Sequence, residues 1–170
     1  YSRRGKIIIR AFVQKLMAQK WRPFAINAVI VIVVVLGMRM WQQRDIVAGP
    51  APQLPGVAWN KQPTLVHFWA TWCPVCRAEQ SSIDALAKDY PNTVTVAMQS
   101  GNDAAISKFM REQSLSFPVI NDAGGNISQA WGVHAVPASF IVDSQGQIRF
   151  VEIGYTTGWG WRLRLWLAQF

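Results

Sequence analysis

Phe68-Trp69-Ala70-Thr71-Trp72-Cys73-Pro74-Val75-Cys76-Arg77-Ala78-Glu79 is the stretch on which the fold turns. It holds both cysteines of the 170-residue chain, where the apolar run that begins at Leu65 gives way to more polar sequence. In a helix starting near Cys73, positions i and i+3 share a face, so Cys76 can reach back and close a disulfide. The unpaired amides and positive dipole end of a first helical turn favour a thiolate on Cys73 and make it the attacking group. Cys76, one turn in, is then the resolving thiol. Pro74 has no N–H to lose there and its fixed φ suits a first turn, which leaves the amides of Val75 and Cys76 as the nearby donors. The pair therefore reads as a redox site. Three other readings compete. A structural zinc would need His67 and His134 as further ligands, across a long gap in sequence. A purely structural bridge would close too small a loop to constrain the unfolded chain much. Buried inert thiols fit poorly with the polar, proline-bearing context.

The formal charge of +8 sits at one end of the chain. Residues 1–44 carry nine Lys/Arg and no acid, whereas residues 45–170 carry eight Lys/Arg against nine Asp/Glu. Counterion release needs clustered cations on a binding face, so a nucleic-acid partner for the main domain is excluded on electrostatic grounds. The basic arm, 1–22, leads into an uncharged run over 23–38 that is dominated by Val and Ile. Sixteen residues of helix span about 24 Å, short of the roughly 30 Å hydrocarbon core, and continuing to Trp41 closes most of the gap. Arg39 would snorkel and Trp41 would lie at the interface. We therefore expect a single transmembrane helix over 23–41, with the N-terminus cytoplasmic by the positive-inside bias. A cleaved signal peptide is the alternative, although the small residues Ala48 and Gly49 lie well past the apolar run. Three prolines in the stretch Pro50-Ala51-Pro52-Gln53-Leu54-Pro55 predict an extended tether over 42–56. Residues 57–170 suffice for one domain with a real core.

Within that domain, the run Thr64 to Trp69 reads as a buried strand and Cys73 to about Tyr90 as a helix stopped by Pro91-Asn92. Thr93 to Met98 is β-branched and reads as the next strand, followed by a helix capped by Asn102 or Asp103 and running to about Gln113. Phe117-Pro118-Val119-Ile120 is a brief extended piece, and Asp122-Ala123-Gly124-Gly125 a turn. Ser139 to Val142 and Ile148 to Ile153 pair as a hairpin across Asp143-Ser144-Gln145-Gly146. A last helix places Trp159, Leu163, Trp166, Leu167 and Phe170 on one face, read as core packing in preference to a membrane-surface device. Strands alternating with helices, then a hairpin and a helix, indicate a three-layer α/β sandwich.

The cysteine stretch, taken with Gly132-Val133-His134-Ala135-Val136-Pro137-Ala138-Ser139-Phe140-Ile141-Val142-Asp143, resembles the thioredoxin superfamily, and within it the membrane-anchored TlpA-type branch, including its group linked to copper tolerance. The resemblance covers about residue 57 to the C-terminus. It implies a thioredoxin-like sandwich with a central mixed sheet, Cys73 as nucleophile and Cys76 as resolving thiol. It also implies that Pro137 is a cis-proline facing them, that Val136 offers its backbone to the substrate chain, and that Trp72, Pro74 and Val75 border the same surface. His67 stands where thioredoxins carry a buried Asp that helps deprotonate the resolving thiol. A histidine can take that proton near neutral pH, as a cation would stabilise a thiolate instead, or can be an ordinary satisfied core residue. Pro-Val replaces Gly-Pro between the cysteines and offers the Cys73 thiolate no extra cation, which disfavours a strong oxidant. The reduction potential is accordingly expected near that of thioredoxin, about −270 mV, and not near the −120 mV of the strong oxidants, as equilibration with glutathione would measure. Arg77 and Glu79 match the family pattern but also suit a solvated helix face, and His134 reads as surface decoration.

Together these features predict a thiol-disulfide oxidoreductase on the periplasmic side of a bacterial inner membrane, acting as a reductant of protein disulfides. It would need no cofactor beyond the Cys73–Cys76 disulfide and would receive electrons from a membrane thiol reductase. A copper chaperone holding Cu(I) on the two soft thiolates, with His134 as a further ligand, is the alternative.

Overall fold

The computed structural model describes residues 26–38, 49–59 and 62–169. The chain divides into two compact units, Tyr1–Arg44 and Asp45–Phe170. In the first, residues 26–38 form helix α1, and its Ile and Val side chains are exposed all round, from 48% at Val35 to 61% at Val33. Thirteen residues rise about 20 Å. Among the described residues no helix is long and apolar enough to cross a membrane. The expected basic arm, residues 23–25 and 39–41 of the expected span, and residues 42–48 of the expected tether lie outside the described residues.

The second unit is built on a six-stranded mixed sheet in the order β1-β6-β5-β2-β3-β4, where β1 is Gly49–Pro50, β2 Thr64–Trp69, β3 Thr93–Met98, β4 Val119–Asp122, β5 Ala138–Val142 and β6 Gln147–Ile153. Every residue of β2 is buried, because β3 pairs parallel on one side of it, β5 antiparallel on the other, and both faces are covered. Alternation along β2 then sorts the core into two layers. Leu65 and Trp69 face helices α2 (Pro74–Asp89), α3 (Asp103–Glu112) and α5 (Gly158–Leu167), packing with Ile83, Leu86, Ile106, Trp161 and Leu165. Val66 and Phe68 face the opposite way, toward Trp131, Phe140 and Leu54. His67 shares the face of Leu65 and Trp69, which directs it toward α2.

Most elements fall where the periodicity places them, and four details differ. The fourth strand starts two residues late, since Phe117 is a core side chain and the Pro118 carbonyl accepts from Thr95 N. A short helix not foreseen from sequence, α4 (Asn126–Ala130), follows Gly125 in the left-handed conformation. It is fixed by the Asp122 carboxylate, which accepts from Ile127 N, Ser128 N and Ser128 Oγ. Part of the stretch expected as tether packs on the domain: Gly49–Pro50 pairs with Ile148 and Gln147 at the sheet edge, Ala51 N donates to the Gly146 carbonyl at 2.8 Å, and Ala51 and Leu54 are core residues. Proline is tolerated on an edge strand, so a Pro-rich stretch carrying apolar residues need not remain a spacer.

The fourth difference is a correction on α5. Trp161, Leu165 and Ala168 are the buried side, whereas Trp159, Leu163, Trp166 and Leu167 are 82, 59, 55 and 43% exposed, and Phe170 lies outside the described residues. Both sets recur at helical spacing, so periodicity identifies two apolar stripes without saying which one meets the sheet. Burial of Trp161 and Leu165 against the sheet is the arrangement found, and Arg162 and Arg164 on its margins pair with Asp89 of α2 and Glu152 of β6.

Candidate active site

The backbone leaves β2 at Trp69 and turns through Ala70-Thr71-Trp72 into α2. The turn is braced from the end of β3, where Thr71 N donates to Ser100 Oγ at 3.0 Å and Trp72 Nε1 donates to the Gln99 carbonyl at 3.2 Å. Arg77 Nη2 donates to the Thr71 carbonyl at 2.9 Å while its guanidinium lies 5.9 Å from the Phe109 ring centre. Cys73 is the N-cap of α2 with extended φ/ψ, and its Sγ accepts from Cys76 N at 3.1 Å. This is the first-turn amide donor anticipated from the sequence, and Pro74 occupies the first helical turn.

Cys73 and Cys76 are joined in a disulfide with their Cα atoms 5.3 Å apart. Val136–Pro137 is cis, and the Val136 carbonyl oxygen lies 3.6 Å from Cys73 Sγ. The structure thus brings Trp72, Cys73, Pro74, Val75, Val136 and Pro137 to one end of the sheet. Cys76 is fully buried and Cys73 keeps 3% exposure, while Trp72 and Val75 are 58 and 44% exposed beside it. Cys73 is therefore the sulfur next to the surface, at the foot of an apolar rim. His134 is exposed on the loop before Val136. Among the described residues no three His, Cys, Asp or Glu side chains cluster as a metal site.

Behind the sulfurs lies a buried polar chain. His67 Nδ1 is 2.8 Å from Ser139 Oγ on β5, and its Nε2 is 3.5 Å from Glu79 Oε1. Glu79 Oε2 accepts from Thr156 N at 3.2 Å. Burial pulls the His67 pKa down to about 3. Burial also pushes Glu79 up to about 7, against the lowering effect of the Thr156 amide. A neutral imidazole therefore faces a carboxyl group that titrates near neutrality, and His67 is too weak a base to take a proton there. Glu79 is the residue the sequence reading placed too far out, since its side chain is 1% exposed. The available signal was its spacing: three residues after Cys76 and four before Ile83, it lies on the inward face of α2.

These two shifts oppose each other in the pH dependence of stability. His67 binds its proton more weakly in the folded state, so its contribution rises from pH 3 to 6.5. Glu79 holds its proton more strongly when folded, so its contribution falls from about pH 4.5 to 7. The expected profile rises to about pH 4.5, is level to about 6.5 and declines slightly to about 7. Glu79→Gln should remove the falling component, so that stability continues to rise to about pH 6.5. Thermal unfolding of both proteins across pH 3–8 checks this, and parallel curves would refute it.

A strand, a turn that caps a helix with one cysteine, and a cis-proline opposite that cysteine form a constellation with known counterparts. The family described as Redoxin matches residues 55–158. The chain belongs to the redoxin family. Among curated relatives, this redoxin is 35% identical over 111 residues to a thioredoxin-like protein of Haemophilus influenzae, covering 65% of this chain and 66% of the relative. It is 32% identical over 120 residues to the thiol:disulfide interchange protein DsbE of Pseudomonas aeruginosa, covering 70% of this chain and 66% of that protein. The chain thus spans just under two thirds of the length of these relatives. The crystal structure of StoA from Bacillus subtilis superposes with a TM-score of 0.56 at 26% identity, over 61% of this chain and 82% of that one.

Proposed function

We propose that this redoxin is a thiol-disulfide oxidoreductase that reduces disulfides of other proteins, held at a bacterial inner membrane by residues 23–41 with its redox domain in the periplasm. The observation that carries the reading is the single surface-adjacent sulfur, Cys73, capped by the Cys76 amide and 3.6 Å from the Val136 carbonyl. That carbonyl would take a backbone N–H from an extended substrate segment, which aligns the segment's disulfide on Cys73. The Redoxin match and the names of the curated relatives support the same chemistry. The seven cations of residues 1–22 and the uncharged run that follows them support the tether.

In the reduced enzyme the Cys73 thiolate attacks one sulfur of the substrate disulfide. A Cys73–substrate bond forms, the substrate S–S bond breaks, and the second substrate sulfur leaves as a thiolate that takes a proton from water. Cys76, one turn away and buried, loses its proton and attacks Cys73 Sγ, which breaks the Cys73–substrate bond and releases the first substrate sulfur as a thiolate that takes a proton from water. The Cys76 proton needs an acceptor. Glu79, on the same face of α2 and titrating near neutrality, is suited to receive it, with Thr156 N donating to its Oε2 and the neutral His67 ring 3.5 Å from its Oε1. The product state is the disulfide seen here, and a membrane thiol reductase supplies the two electrons that restore the dithiol.

Cys76→Ser tests this reading. Without a resolving thiol, the enzyme should accumulate a covalent Cys73–substrate disulfide that is visible on a non-reducing gel and dissolved by dithiothreitol. A copper chaperone would form no such adduct and would lose Cu(I) affinity with the same substitution. Wild-type protein that turns over no protein disulfide yet binds one Cu(I) tightly would reject the oxidoreductase assignment.

A further inference from the structure

Leu65, Trp69, Ile83, Trp161 and Leu165 belong to the apolar layer between the sheet and its helices, and three buried polar side chains lie on the same side of the sheet. Ser139, His67 and Glu79 are 2, 2 and 1% exposed. Polar groups in such a place are costly unless each finds a partner. Ser139 Oγ lies 2.8 Å from His67 Nδ1 and has no other hydrogen-bond partner among the described residues. Glu79 Oε2 accepts from the Thr156 amide. Glu79 Oε1 accepts no hydrogen bond among the described residues, and His67 Nε2 stands 3.5 Å in front of it. One oxygen of a buried carboxyl group therefore faces one imidazole nitrogen, and the disulfide chemistry derived above gives neither His67 nor Ser139 a task.

Burial keeps the His67 ring neutral, so it carries one proton, on Nδ1 or on Nε2. A proton on Nδ1 would leave the Ser139 hydroxyl without an acceptor and would set the Nε2 lone pair against the carboxylate. With the proton on Nε2, the Ser139 hydroxyl donates to Nδ1 and Nε2–H points at Glu79 Oε1, so each donor faces an acceptor. The second arrangement wins whenever Glu79 is ionised. Its effect is one-sided, because an N–H stabilises a carboxylate and gains nothing from a protonated oxygen. The charges on the neighbouring elements are engaged elsewhere. On β6, Glu152 is the cross-strand partner of Ser139 and is held by Arg164 of α5, while on β3 the partner of His67 is the uncharged Thr95. On α2 itself Arg77 is turned to the Thr71 carbonyl, and ahead of α5 Tyr155 is 56% exposed.

We infer that Ser139 and His67 are positioning residues for the resolving step: Ser139 fixes the imidazole tautomer, and the Nε2–H so placed keeps Glu79 ionised to receive the Cys76 proton. The inference rests on the role given to Glu79 in the previous section. In that step the Cys76 S–H bond breaks and its proton passes to Glu79. A Cys73–Cys76 bond forms, the bond from Cys73 to the substrate sulfur breaks, and that sulfur leaves as a thiolate. A separation of 3.5 Å is longer than a made N–H···O bond, as catalytic contacts commonly are before the reacting state is reached. Loss of the donor disfavours the carboxylate, so Glu79 should then ionise only at higher pH.

The test mixes the full chain, fully reduced, with an equimolar amount of dithionitrobenzoate and follows thionitrobenzoate release by stopped flow across the neutral pH range. Attack by Cys73 releases the first thionitrobenzoate and leaves an aryl disulfide on Cys73. Attack by Cys76 releases the second, so the second phase reads the resolving step alone, and in wild type it should quicken as Glu79 ionises. His67→Leu should move the midpoint of that rise up by about one pH unit and slow the second phase about tenfold below it, with no comparable change in the first phase. His67→Gln, whose amide can donate to the same oxygen, should bring the midpoint back toward wild type, whereas a merely structural position would be served better by Leu. Ser139→Ala should shift the midpoint the same way by about half a unit. An unmoved midpoint in His67→Leu overturns the inference, and where that variant does not fold, an unmoved midpoint in Ser139→Ala does so. Glu79→Gln separates the two levels. If it abolishes the rise while the His67 and Ser139 variants keep the wild-type midpoint, the positioning role alone fails. If the rise survives in Glu79→Gln, the proton acceptor has been misassigned and both readings fail.

Discussion

Cys73→Ser abolishes turnover of protein disulfides, with a loss of at least about 10³-fold in a dithiothreitol-coupled reduction assay. A serine hydroxyl is not ionised at neutral pH and cannot form the mixed disulfide. Cys76 cannot take over, because it is fully buried behind Cys73 and an incoming sulfur has no line of approach to it. The substitution should leave the fold intact. A serine Oγ accepts the Cys76 amide as an N-cap at least as well as sulfur does, so α2 keeps its first turn. The bridge closes only a four-residue loop, and its removal costs the folded state little. Loss of activity with a nearly unchanged melting temperature is therefore the expected pair of results. A variant retaining a tenth of wild-type turnover would show that the attacking sulfur has been assigned to the wrong residue.

Trp131→Ala is the substitution expected to cost the most stability, about 3–5 kcal/mol. Its indole is fully buried, with the Phe140, Phe68 and Trp59 rings 4.9, 5.6 and 6.2 Å away, centre to centre. Removing it opens a void among three aromatic rings, and Phe68 on β2 and Phe140 on β5 cannot move in without breaking sheet pairing. For a domain of this size the loss corresponds to a fall in Tm of about 10–20 °C. Trp159→Ala, on a residue 82% exposed, should stay within about 0.5 kcal/mol of wild type. Chemical denaturation of the two variants side by side decides the matter, and comparable losses would contradict the orientation of α5 described above.

The redox pair was legible because its chemistry is local. Strand, turn, N-cap and first helical turn all lie within the twelve residues 68–79, where spacing along the chain determines spacing in space. Glu79 shows where that legibility stops. Its three-residue offset from Cys76 fixes the face of α2 it occupies, yet its burial depends on β2 and on Thr156, 77 residues further along. The packing of residues 49–54 on the domain was hidden for a related reason. Pro50 and Leu54 read as spacer in isolation, and only the free edge of β6 turns the start of that stretch into a strand.

Spacing along the chain was enough to identify the residues that carry the sulfur chemistry and most of the helices and strands, α4 and β1 excepted, because these follow from contacts a few residues apart. Tertiary structure alone decided that the Val136 carbonyl meets Cys73 across 63 residues, that Ser139, His67 and Glu79 form one buried chain, and that Trp161 and not Trp159 faces the sheet. Each of these depends on which faces the packed sheet removes from water, and an amphipathic period reports that a face exists without naming its partner.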